Sequence, residues 1–172
     1  MSTIQEDYIL RMIQMMGEVI TAALHLKTLG QTSEADRSLT NALQTIMPEH
    51  ADLVEMVDET TALTLLGDSK LVEAYVELLL ARAEIKMALD KSSEGETLQA
   101  RAIRIFVKCI QGERHISPKG QLIWGRLSGL DLHLLLEKRE LELWTDLDKA
   151  IQKGLVIVPC DKSRVPLHDL DS

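Results

Sequence analysis

Prolines and several glycines mark the borders of stretches whose apolar residues recur every three or four positions, and this punctuation leaves little room for anything but a series of helices. The first helix is expected from Thr3, which with Glu6 offers a capping box, to a stop at Gly30. Its apolar face carries Ile9, Met12, Ile13, Met16, Val19, Ile20, Ala23 and Leu24. A second helix, capped by Thr32 or Ser33, ends before Pro48, and a third runs from about Ala51 to Leu66, closed by Gly67. Asp68 or Ser69 caps a long fourth helix over 71–89, and Ser93 with Glu96 opens a fifth carrying Leu98, Ala102, Ile105, Phe106, Cys109 and Ile110. Ser117-Pro118 starts a pattern that continues to Lys153, with a break expected near Ser128-Gly129 and an internal cap formed by Ser128 with Asp131.

The short connections imply antiparallel neighbours. The expectation is an all-α fold of six or seven helices, with residues 1–153 forming one helical domain and 154–172 a non-helical tail. At 172 residues the chain can bury a sizeable core without metals or disulfides. Only five aromatic residues are present, which suits close helix crossings filled by Leu, Ile, Met and Ala and disfavours base-stacking surfaces. A net charge of −8 argues against nucleic acid or an anionic membrane as a partner. The acidic start does not read as a secretory signal, and no unbroken apolar run approaches the ~18–20 residues that span a bilayer. Cys109 reads as a small buried hydrophobe, and with Cys160 far away in the tail the expected setting is a reducing cytoplasm.

Between Leu29 and Pro48, Gly30, Ala35, Leu39 and Ala42 fall where the second helix of a tetratricopeptide repeat places a glycine, two small residues and a large apolar one. This stretch resembles such a repeat, and the likeness implies stacked helix hairpins used for binding proteins. An irregular antiparallel bundle with alanines at tight crossings fits the same residues. The opening Gln5-Glu-Asp-Tyr-Ile-Leu-Arg-Met-Ile13 also resembles the start of a family of helical proteins, mostly from Gram-positive bacteria, with no assigned activity. Asp7, Tyr8, Arg11 and Met12 carry that second resemblance, which implies a cytoplasmic bacterial helical protein.

Catalytic chemistry finds few footholds, and neither catalytic residues nor a cofactor are expected. There is no Glu-x-x-His, no Cys-x-x-Cys, no phosphate-binding glycine loop and no nucleophile elbow. His133 and Glu137, four apart, read as a half-exposed histidine beside a charged segment; His115 sits in a loop with no partner cysteine, His168-Asp169 lies in the tail, and neither makes a site. The alternative function is an all-α, metal-dependent nucleotide pyrophosphohydrolase, which needs acidic pairs lining one helix face. Glu55-x-x-Asp58 and Glu137-x-x-Glu140 exist, but in the reverse of the usual order, and the stripe Asp52, Glu55, Glu59 is equally a solvated face.

Two surfaces suggest a partner. Arg82 and Lys86 near the end of the fourth helix, with Arg101, Arg104 and Lys108 on the fifth, would form one basic patch if these helices make a hairpin, suited to an acidic peptide or a terminal carboxylate. The competing expectation pairs each cation with a neighbour: Arg82 with Glu77 or Glu84, Lys86 with Asp90, Arg101 with Glu94 or Glu96. The second surface is the first helix, broadly apolar and rich in methionine, with Met12, Met15 and Met16. Self-association through this helix or the leucine-rich 129–151 segment follows as a possibility. Non-catalytic protein–protein interaction is thus the expected function.

Overall fold

The computed structural model describes residues 3–113 and 115–155; the tail beyond, with Cys160 and His168, lies outside the described residues. Every regular element described is a helix: α1 (Thr3–Thr28), α2 (Thr32–Ile46), α3 (Ala51–Met56), α4 (Glu59–Leu66), α5 (Ser69–Ala88), α6 (Ser92–Glu113), α7 (Pro118–Ser128), α8 (Leu132–Leu135) and α9 (Lys138–Gln152). The fold is all-α. Its glycine stops lie where the punctuation places them, since Gly30, Gly67 and Gly154 each take a positive φ that a side chain would resist.

Several boundaries differ from expectation, each for a local reason. The expected third helix is two, because Val57 is extended and the Asp58 carboxylate accepts from the backbone N–H groups of Thr60 and Thr61, starting α4 afresh. The span from Pro118 to Lys153 breaks twice. Ser117 caps α7 by accepting from the Gly120 N–H at 2.8 Å, and Asp131, not Ser128, caps α8. Ser128 instead donates to the Trp124 carbonyl within α7. A capping box of Glu137 with Glu140 opens α9. Gln31 stands at the start of α2 without a side-chain cap, so neither Thr32 nor Ser33 fills that role, and α6 begins at Ser92, which puts Ser93 inside the helix.

α5 is the central helix. It packs on α1, α2, α4, α6 and α7, most extensively on α6, and is buried on nearly all sides, from Leu71 through Tyr75 and Leu79 to Ile85. The α5–α6 hairpin closes tightly at Gly95, where an added Cβ would meet the Ala83 carbonyl oxygen at 3.0 Å and the Met87 Cγ at 2.8 Å. Met87 can move aside but the carbonyl cannot. Gly95→Ala is therefore expected to cost about 1 kcal/mol, because overpacking of ~1–3 kcal/mol outweighs the ~1 kcal/mol gain in helix propensity. A shifted midpoint in urea unfolding at unchanged slope would register the loss, and an unchanged or raised midpoint would contradict it.

Glu73 on α5 is the buried charged residue of this core. Its carboxylate accepts from the Ser117 hydroxyl at 2.5 Å, tying α5 to the start of α7. Burial pushes its pKa upward, against the opposing pull of the Ser117 hydrogen bond and Lys119. A raised carboxylate pKa means the folded state holds the proton more tightly than the unfolded one. Stability from this group is thus complete below the ordinary glutamate range and falls as pH rises from there through the raised folded value. Glu73→Gln keeps an acceptor for Ser117 and is expected to remove that fall, leaving the variant as stable as the parent or more so at neutral pH. Unfolding free energies at mildly acidic and neutral pH decide this; a variant that keeps the parent's slope would contradict it.

α1 departs from expectation in another way. No unbroken apolar run is present, yet Ile4–Thr28 is long and apolar enough to cross a membrane, with a mean hydropathy of 1.3 over its most apolar window. Gln14, Gly17 and Thr21 interrupt the runs without lowering the average much. Met12, Met16 and Ala23 are buried, Ile9, Ile13, Met15, Val19, Ile20 and Leu26 pack against the core half-buried, and α1 as a whole lies on α2 and α5.

Candidate functional site

The five cations of the predicted patch do lie on the α5–α6 hairpin, but each is engaged by another part of the chain. Arg82 pairs with Glu55 of α3. Lys86 donates to Asp36 of α2 at 3.0 Å and pairs with Glu94 at 3.1 Å. Burial works against the Lys86 charge, but the hydrogen bonds it donates to Asp36 and Glu94 outweigh it and hold its pKa above the usual lysine value. Arg101 donates from Nη2 to the carbonyls of Val54 at 2.7 Å and Val57 at 2.9 Å. Arg104 makes a two-pronged pair with Glu140 of α9, at 2.6 and 3.1 Å. Lys108 donates to the Thr60 hydroxyl at 3.1 Å and lies 3.7 Å from Glu59.

The stripe therefore works as a row of fasteners holding α2, α3, α4 and α9 to the central hairpin. The partners are not the same-helix acids expected from spacing; Glu94 on α6 is shared by Lys86 of α5 and, at 3.8 Å, by Lys91 of the connection. The donors of this row are already turned toward the protein's own carbonyls and carboxylates.

The acidic pairs are similarly committed. Glu55 holds Arg82, Asp58 caps α4, Glu137 caps α9 and Glu140 serves both that cap and Arg104. The Arg104 hydrogen bonds hold the Glu140 carboxyl below the usual range, and the bonds from Thr61 do the same for Asp58. Among the described residues no three His, Cys, Asp or Glu side chains gather in a way that could hold a metal. His133 is exposed on the short α8, and Cys109 is half-buried, its thiol pushed up by burial to about 12.

The four residues of the opening signature occupy two faces of α1. Met12 is buried, and Tyr8 and Met12 line a solvent-open cleft of about 300 Å³ whose other walls include Met47, Leu66 and Leu71. Asp7 and Arg11 are exposed on a neighbouring face of the helix, where neither side chain makes a hydrogen bond or ion pair among the described residues. Ile4, Tyr8 and Leu10 are each more than half exposed, at 79%, 55% and 53%. Sequence reasoning identified α1 as broadly apolar but had no signal that Ile4, Tyr8 and Leu10 are left exposed while the rest of the apolar face packs on the core.

No protein-family model, curated protein or solved structure matches this chain.

Proposed function

We propose that this protein is a non-catalytic interaction module, and that α1, not the basic stripe, is its contact surface. One observation carries the reading: Ile4, Tyr8 and Leu10 at the start of α1 are each more than half exposed on a helix whose other face packs on the core. Apolar surface left uncovered on a folded domain marks a place where another molecule sits. The likeness of the Gly30–Ala42 stretch to a tetratricopeptide helix supports the same class of function, and there Ala35, Leu39 and Ala42 all pack inward from α2.

Leu10→Asp places a charge in the exposed face without touching the core. The reading expects proteins captured by the wild-type chain from a lysate of the source cell to be lost with this variant, while its thermal midpoint stays unchanged. Identical captured sets would count against α1 as the surface. Stabilisation of the chain by Mg²⁺ together with a nucleotide would overturn the non-catalytic part, since only a ligand of the native state raises the midpoint.

A further inference from the structure

The outer face of α1 carries a charge order that singles out one kind of partner. Down this face run Asp7, Arg11, Glu18 and His25, with Leu10, Gln14, Gly17, Thr21 and Ala22 between them, and all nine are exposed. The signs alternate: negative, positive, negative, and a histidine that carries positive charge when protonated. A second copy laid parallel and in register would set like against like. Turned antiparallel, it sets Arg11 against Glu18 and Asp7 toward His25, and the two-fold symmetry of a dimer repeats each pair. Glu18 accepts from Gln14 at 2.9 Å within its own helix, which leaves its second oxygen for an incoming guanidinium.

Shape gives the same register independently. Gln14, Gly17, Glu18, Thr21, Ala22 and His25 line a shallow groove on this face, floored by the bare backbone of Gly17, where an added Cβ would meet nothing within 4 Å. Pairing Arg11 with Glu18 places residue 10 opposite residue 19, at the middle of that groove. Leu10, the large apolar side chain exposed on this stripe, is then the knob that fills it. Charge and shape thus fix the same crossing, centred between Gln14 and Met15.

We propose that this protein forms a two-fold dimer through antiparallel α1 helices, with Leu10 of each copy seated in the Gly17–Thr21 groove of the other and Arg11 paired with Glu18 across the interface. The proposal rests on the reading of α1 as the contact surface and names its occupant as a second copy of this chain.

Sedimentation of the full chain over a wide concentration range tests it. The wild type is expected to pass from monomer to dimer. Arg11→Glu or Glu18→Arg alone weakens the dimer on the order of tenfold, because two attractive pairs become repulsive, and the double exchange restores it. The two positions lie seven residues apart on one helix and do not pair within it, so restoration requires a second copy. With Cys109 and Cys160 replaced by serine, Gln14→Cys beside the two-fold axis should form an intermolecular disulfide on oxidation, and Thr28→Cys should not. A parallel pair would cross-link both.

A wild type that stays monomeric at every concentration overturns the dimer, as does a dimer indifferent to both single reversals or unrestored by the double. Flotation of a monomeric chain with phosphatidylcholine vesicles would also overturn it, assigning α1 to lipid. A monomer whose captured proteins still depend on Leu10 removes the dimer and leaves the interaction reading standing. A monomer whose captured set Leu10→Asp leaves unchanged removes both.

Discussion

Trp124→Ala is expected to destabilise the protein by about 3–5 kcal/mol, the usual cost of removing a buried indole. Trp124 lies flat on Trp144, with ring centroids 3.8 Å apart and planes within 4° of parallel. It also meets Phe106 of α6 at 6.4 Å and donates from its indole nitrogen to Asp148 at 2.8 Å. The ring is thus the middle layer between the central hairpin and α9. That position makes it decisive, because Trp144 is the residue α9 buries fully. Without Trp124, Trp144 loses its facing surface and Asp148 loses its indole donor, while the Arg104–Glu140 pair still tethers the other end of α9. The expected result is a lower urea midpoint together with faster amide exchange throughout α9 and unchanged exchange in the middle of α5. Trp124→Phe, which keeps a stacking face but no donor, should recover more than half of the loss. A cost below about 1 kcal/mol would mean that α9 is held by its ion pair and not by the indoles.

What the sequence disclosed and what it withheld separate along a physical line. Backbone stops and starts are local, so Gly30, Gly67, Asp68 and the Ser117-Pro118 pair could be placed from their neighbours alone. The misplaced boundaries arise where a local signal was present but the apolar period ran across it. Asp58 restarts a helix between Val54 and Ala62, both buried, so the core face continues through a break in the backbone. Beyond the break expected near Ser128-Gly129, Leu130–Leu136 reads as running on in one helix to Lys153 because leucine tolerates either state; the extended Leu136 ends α8 and decides otherwise. The central place of α5 was hidden for another reason. Apolar spacing places a helix over 71–89, but Val72, Val76, Leu80 and Ala83 are buried along with Leu71, Tyr75 and Leu79, and only the number of neighbouring helices determines that.

Candidate-site residues follow the same division. Helical spacing correctly groups Arg82 with Lys86, and Arg101 with Arg104 and Lys108, because side chains three, four or seven positions apart share a face. It says nothing of what the face meets. Glu55, Asp36 and Glu140 come from 27, 50 and 36 residues away. A cation stripe on an acidic protein looks like a receptor for acidic ligands whether the acids that fill it belong to a partner or to the same chain. On α1 the reverse holds: Asp7 and Arg11 are four apart and suggest a local pair, yet neither has a side-chain partner among the described residues.

Arg101 shows most directly that the stripe holds the fold together. Val54 and Val57 stand at the end of α3, where helix carbonyls have no partner within the helix and the dipole is negative. The single Nη2 of Arg101 serves both oxygens, and no backbone group replaces it there. Beneath it lies Tyr75, fully buried; burial pushes the phenol pKa up, and the neighbouring guanidinium opposes that shift. Its hydroxyl and the Nε atoms of Arg82 and Arg101 are buried without hydrogen-bond partners. Arg101→Ala is therefore expected to cost about 2–4 kcal/mol, combining two charge-assisted bonds with carbonyls left unsatisfied. Arg101→Lys, which keeps the charge but not the fork, should recover less than half. Because only buried Ala51 and Val54 and the Arg82–Glu55 pair then hold α3 to the hairpin, its amides should exchange faster well below the denaturant concentration that unfolds α5 and α6. Unchanged α3 exchange in Arg101→Ala would show that Arg82–Glu55 alone secures the segment. Reversing the charge at Arg101 consequently alters folding before it alters any encounter with an acidic peptide, and a binding loss in such a variant identifies a receptor only if α3 is still in place.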